Sequence, residues 1–378
     1  MASTSTSSYT AAQLLAKAES ILASSGDVEL AQNFAERAQA LCGDNEEERT
    51  RCSEFRGMIA MEMGNTEMVK ELFESCRSTS STALLYLAQL SESPHEALSN
   101  FQGAVKLLSR RIDLDIADSC NAGEARVKSG SQQETRMQIT RALVGMTELY
   151  LTDLCFEPDA EARCIEYLDM AVRVDEAGDE TNPEIYSTLA SVRLSQQRPS
   201  EALRALQKSY SIWSSLPPDA PSVPSFEARL SLVKLFIECE GYDESIEILE
   251  GLEDENDEDF EVMYLLGLVN WLIGEEETQP EMKREAYIDS REALERFLQI
   301  YARNPTEADA EMVSQAREMI LTLEKDKGIS TNDVQQHAAR DIRPAKNGQA
   351  VEERPEAGDG VFDDIWEDED ESADDDMS

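Results

Sequence analysis

The sequence predicts an all-α chain: about seven helix–turn–helix repeats stacked as a solenoid, closed by a capping helix and followed by a disordered acidic tail. Three observations predict it. Apolar residues recur at i, i+3, i+4 and i+7, with no strand-like alternation. Small and large residues return in the same order along residues 9–326. After Lys327 the chain turns polar and increasingly charged, the composition of disorder. The expected organisation is a flexible N-terminus at 1–8, the repeat array at 9–326 and the tail at 327–378.

The recurring order is that of the tetratricopeptide repeat, a unit of about 34 residues with an aromatic, a Leu–Gly pair, then Ala, Phe and a closing Pro. Its small residues let two helices approach and its large ones fill the seam. The first copy, "AESILASSGDVELAQNFAERAQAL", carries Gly26, Ala31, Ala35 and Ala38. The second has Gly57, Gly64, Val69, Phe73 and Cys76; the third has Ala97, Phe101 and Ala104. The fourth has Gly145, then Cys164, Leu168 and Ala171 after a lengthened turn. The fifth is a good match, with Tyr186, Leu189–Ala190, Ala202 and Leu206. The sixth offers Ser245, Leu249 and Leu252. The seventh begins in "VMYLLGLVNWLIG" with Leu266–Gly267 and Gly274, and ends in "SREALERFLQIYARNP" with Ala293, Phe297, Ile300 and Pro305.

Three stretches interrupt the array. Ala117–Arg136 loses periodicity and reads as a surface loop. Pro217–Ser225, "PPDAPSVPS", reads as a stiff connector. Asp243–Glu281 holds fifteen acids and no Lys or Arg, and its end reads as an insertion before Ser290. Thr306–Asp326 then reads as the terminal helix that covers the last open seam.

The formal charge is −44, of which Glu352–Ser378 supplies −13, leaving −31 on residues 1–351. Such a chain repels nucleic acid and anionic membrane and attracts basic proteins. No secretory signal is visible at the N-terminus, and Val262–Gly274, the longest nearly apolar run, is shorter than the roughly 20 residues a membrane helix needs. Seven cysteines without ligand-like spacing read as reduced core thiols of a cytosolic or nuclear protein. The two histidines, His95 and His337, lack metal-ligand neighbours, and no phosphate loop or nucleophile elbow occurs. The expectation is a binding protein: not an enzyme, with no cofactor and no metal.

Solenoids of this kind bind along the face lined by the first helix of each repeat. Aligned on the Gly and Ala positions, that face would carry Glu54, Met58, Met61 and Glu62 in repeat two and Met146, Leu149 and Tyr150 in repeat four. Repeats six and seven would add Glu227, Glu238, Glu261, Tyr264, Leu268 and Trp271, with Lys234 nearly the sole base. Carboxylates interleaved with Met and aromatics suit an extended basic peptide. Such a face would repel the acidic C-terminus that chaperone-docking tetratricopeptide proteins hold. In the tail, Phe362, Ile365 and Trp366 lie among the acids of "GVFDDIWEDEDESADDDMS"; they would anchor a second contact, the alternative being a tail that serves solubility alone.

An acidic array of about seven repeats with this tail resembles the fungal dedicated assembly chaperones of large-subunit ribosomal protein number four. The resemblance spans the whole chain and rests on architecture, length and charge. It implies one chain holding one newly made basic client, escort from cytoplasm to nucleus, and release onto the pre-60S particle. Two alternatives stay open from the residues themselves: a histone chaperone, and a scaffold joining neutral proteins.

Overall fold

The computed structural model describes residues 9–122, 129–176, 182–218, 220, 222–303, 305 and 310–340, which divide into two compact units at Ile329 and Ser330. The described residues contain helices and no strand. In the first unit these are α1 (Ala11–Ser25), α2 (Val28–Leu41), α3 (Glu46–Glu62), α4 (Thr66–Cys76), α5 (Ser81–Leu90), α6 (Pro94–Ala122), α7 (Ser129–Leu151), α8 (Ala160–Glu176), α9 (Pro183–Ser195), α10 (Pro199–Trp213), α11 (Phe226–Glu238), α12 (Tyr242–Glu255), α13 (Phe260–Glu276), α14 (Pro280–Arg303) and α15 (Ala310–Lys325).

Consecutive helices pack as seven pairs, α1 with α2 through α13 with α14. The second helix of each pair meets the first helix of the next, and first helices also touch across repeats at α1/α3, α7/α9 and α9/α11. The predicted solenoid is present, and α15 stands where the terminal helix was expected, with Val313, Ala316, Met319 and Leu323 on its buried face.

Local chemistry sets the helix starts. Thr10 and Gln13 form a capping box, each side chain closing on the other's backbone N–H at 3.2 and 3.1 Å. Asp27, Asn45, Asn65, Ser80, Ser225 and Asp259 each accept from an N–H of the first turn that follows. Pro183 and Pro199 open α9 and α10, where a missing N–H costs nothing. The seam is small against large, as the repeat pattern requires. Phe73, Leu168, Leu206, Leu249 and Phe297 are fully buried. A Cβ on Gly267 would come within 2.6 Å of Leu294, and one on Gly145 within 2.9 Å of the Phe101 ring. Only glycine lets these helices close.

Four expectations need correction. The loop expected at Ala117–Arg136 is helical at both ends, with α6 running to Ala122 and α7 starting at Ser129; residues 123–128 lie outside the described part. No Gly or Pro stands between Gly103 and Gly123, so the backbone ladder continues after the apolar stripe has ended. The insertion before Ser290 is mostly the first turns of α14, opened by Pro280 and buried through Ala286, Tyr287 and Ile288. Cys155 is exposed, unlike the buried Cys42, Cys52, Cys76, Cys164 and Cys239. Burial pushes the Cys76, Cys164 and Cys239 thiols up to about 11.

The fourth correction concerns the expected tail. Residues 327–329 belong to the first unit: Gly328 takes a left-handed φ of +69°, and the N–H of Ile329 reaches back to the Leu323 carbonyl at 2.9 Å. Ile329 is buried at the end of that turn. In the second unit, Thr331–Arg340 forms a further helix, α16, whose first turn is tied by Ser330 Oγ donating to Asp333 Oδ2 at 2.6 Å. Phe362, Ile365 and Trp366 lie outside the described residues.

Candidate functional site

The first helices of repeats three to six line two concavities in the first unit. A cavity of about 490 Å³ lies between α5, α6, α7 and α9, lined by Tyr86, Phe101, Gln138, Arg141, Glu148 and Glu184 among others. A second, of about 800 Å³, lies between α7, α9 and α11, with Val223 and Pro224 of the proline-rich connector as one wall. Arg141 and Glu184 line both. The two are therefore neighbouring parts of one cleft, wide enough for an extended peptide and its side chains.

Two acids give this cleft its character. Glu148 on α7 faces the cleft and meets solvent, yet the surrounding walls thin that solvent out. Burial first, and the Glu184 carboxylate second, hold its carboxyl above the usual carboxylate range. Neither acid has an ion-pair partner among the described residues. A cation placed beside Glu148 would offset the repulsion from Glu184 and favour the ionised carboxylate.

The sequence-expected residues fall into three groups. Met146 and Tyr150 are buried, Met146 in the core and Tyr150 beside the Tyr167 ring at 6.1 Å, so neither faces the cleft. The face of α7 that does line it runs Glu134, Gln138, Arg141, Gly145 and Glu148. The expected register was off by one to two positions, enough to turn a helix by 100–200°. Leu149 is half-buried beside that face, and Arg141, Glu148 and Glu184 were not among the expected residues. The usable signal was Gly145 itself: residues three and four away share its face.

On α3, Met58, Met61 and Glu62 are exposed, whereas Glu54 is half-buried and accepts a hydrogen bond from Ser80, the residue that caps α5. Glu227 and Glu238 are exposed on α11, in one stripe with Ser231 and Lys234.

The α13 residues form one stripe, Glu261, Tyr264, Leu268 and Trp271, extended one turn further by Glu275. Its polar ends are already engaged. Glu261 pairs with Lys234 at 2.6 Å. The Tyr264 hydroxyl, on a buried ring, donates to Gln315 of α15 at 2.8 Å. Glu275 pairs with Lys327 at 2.6 Å, and the Trp271 ring tilts against Tyr287 at 6.0 Å. Leu268 and Trp271 stay half-buried. Thus the base expected in the groove is bound to an acid expected beside it.

Among the described residues no cluster of three or more His, Cys, Asp or Glu is arranged to hold a metal ion. No described helix is long and apolar enough to cross a membrane.

No protein-family model matches the chain. It is 31% identical over 226 residues to a probable assembly chaperone of rpl4 from Schizosaccharomyces pombe, a match covering 57% of this chain and 62% of that protein. A protein of the same description from Emericella nidulans is 35% identical over 190 residues, covering 47% and 48% respectively. The matches thus span less than two thirds of either curated relative. Among solved structures, that of the Assembly Chaperone of RpL4 (Acl4), residues 1–338, superposes with a TM-score of 0.65 at 31% identity, over 71% of this chain and 98% of that one.

Proposed function

The chain belongs to the family of assembly chaperones of RpL4, and from that premise we propose that it is a dedicated, non-catalytic chaperone of the newly made ribosomal protein. It captures the basic client in the cytoplasm, shields a basic loop or extension, and accompanies it to pre-60S particles in the nucleus. The observation that carries this reading is the Glu148–Glu184 cleft, two carboxylates on facing helices without an ion pair among the described residues, with Tyr86 and Phe101 beside them. A basic segment needs such a site before assembly, when rRNA is not yet present to neutralise it. Arginine between the two acids gains charge-assisted hydrogen bonds, and Phe101 and Tyr86 offer rings for its stem. The −44 charge draws the client in at long range and disfavours stray RNA. One chain holds one client, and no cofactor enters the cycle.

Mixing purified chain and RpL4, with nuclease present, tests the reading. The expected result is a one-to-one complex whose affinity falls from low salt to roughly 0.15 M. The double variant Glu148→Gln/Glu184→Gln should weaken it about tenfold. Equal binding of histones would favour the histone chaperone. Capture of neutral partners alone, insensitive to salt, would favour the scaffold.

A further inference from the structure

The end of the first unit carries a second cation site, and the chain fills it with its own residue. Lys327 Nζ lies 5.1 Å from the Tyr287 ring centroid and 5.9 Å from that of Trp271. It bonds Glu275 at 2.6 Å, and Glu275 also accepts from the Tyr287 hydroxyl at 2.9 Å. Two rings and a carboxylate around the Lys327 ammonium form an aromatic cage, with Lys283 Nζ also 5.8 Å from the Tyr287 ring centroid. Glu275 keeps 43% of its side chain exposed and Lys327 25%, so the mouth opens to solvent.

The way Lys327 arrives is informative. Trp271 and Glu275 belong to the α13 stripe, on the first helix of the last repeat, and Tyr287 stands on α14. Lys327 comes from the turn after α15, swung into place by the left-handed Gly328 and the buried Ile329. The Arg291 guanidinium fastens that turn by donating to the Ile329 carbonyl at 2.6 Å. The lysine is thus a tethered cation, held at the C-terminal end of the α13 stripe. A guanidinium in its place would do better: it is planar, lies flat on indole and pairs bidentately with a carboxylate.

We propose that Trp271, Tyr287 and Glu275 form a binding site for an arginine side chain of a basic partner segment, occupied in the partner-free protein by Lys327 as a tethered surrogate. Identifying that partner with the client rests on the function proposed above; the cage itself does not. Displacement of Lys327 makes part of the affinity conditional, since a partner without a well-placed arginine meets an occupied site. The apparent affinity is reduced by the fraction of time the surrogate is in place.

The test uses the full chain, with Trp213→Phe and Trp366→Phe leaving Trp271 as the one reporter of tryptophan fluorescence. The probe is a peptide of Arg-Gly-Gly repeats, compared with its citrulline counterpart, which keeps the shape and lacks the charge. Lys327→Met should bind the arginine peptide about fivefold tighter and shift the Trp271 emission. Lys325→Met, the same charge change two residues away, should leave affinity where it was. Adding Trp271→Leu to Lys327→Met, titrated by calorimetry because no tryptophan then remains, should remove the gain, and the citrulline peptide should never show it. A fivefold gain shared by Lys325→Met or by citrulline would overturn the cage, as would no gain in folded Lys327→Met. Repeating the titration with RpL4 separates the two proposals: if RpL4 fails to bind any variant, the client assignment falls while the peptide result still decides the cage.

Discussion

The cleft between α7 and α9 and the acid-rich stretch Asp243–Glu281 differ in how their acids are partnered. The stretch holds fifteen acids and no base, yet bases from elsewhere reach into it. Arg229 forks onto Glu255 with both contacts at 2.7 Å. Lys234 meets Glu261, Arg296 meets Glu253, Arg303 meets Glu258 at 3.0 Å, and Lys327 meets Glu275. The cleft has far fewer acids, but Glu148 and Glu184 have no such partner. Local field depends on which side chains the fold brings within a few ångströms, and a count of acids along the chain does not report it. Five of the stretch's fifteen acids are held in these pairs, whereas the cleft's Glu148 and Glu184 are in none.

This contrast can be broken in several ways. The largest effects should leave it untouched, because both regions share one packing seam. Leu168→Ala in repeat four and Phe297→Ala in repeat seven each empty a fully buried position, and each should cost about 3 kcal/mol in denaturant unfolding. A much smaller loss at either site would mean that its seam is looser than the described packing.

Next in size is Arg229→Met. The buried guanidinium and its hydrogen bonds hold Glu255 below the usual carboxylate range. A carboxylate depressed in the fold contributes stability that is fully present above its unfolded value of about 4.3 and is lost as pH falls through the lower folded value. Arg229→Met should therefore cost about 1 kcal/mol at pH 7, discounted for the open side of Glu255, and the cost should vanish in acid. Thermal melts from pH 7 to 3 would show this; a cost constant across that range would mean lost packing rather than lost charge.

The smallest effect has the opposite sign. Glu148 is raised, so in the fold its ionised form is the strained one, and stability grows as pH falls through its folded value. Glu148→Gln should stabilise the chain slightly at pH 7, by about 0.5 kcal/mol or less given its contact with solvent, and the gain should disappear below about pH 4. Hydrogen exchange in α7 and α9 is the sensitive measurement. Destabilisation at pH 7 instead would show that Glu148 holds the cleft together.

Much of this molecule was legible along the chain. Helical periodicity, the small–large order of the repeats, the seven pairs and the terminal helix follow from residue types at fixed spacing, because each repeat solves the same local packing problem. Gly145, Gly267 and Gly274 mark close approaches whatever surrounds them. The groove residues were only partly legible. On α7 an error of one to two positions pointed to Met146 and Tyr150, which are buried, and passed over Glu148. Helix phase is fixed by neighbours on two sides, and a single helix shows its phase only to within a residue or two. The helical ends of α6 and α7 were missed for the converse reason: polar helix looks like loop when only apolar spacing is read.

The sequence by itself determined the repeat architecture and the net charge, since both are sums or periods of residues in order. The tertiary structure alone decided which charges stay open. Arg229 finds Glu255 across 26 residues, Lys234 finds Glu261 across 27, and Lys327 finds Glu275 across 52. Coulomb energy follows distance in space, and the solenoid sets those distances by stacking one repeat on the next.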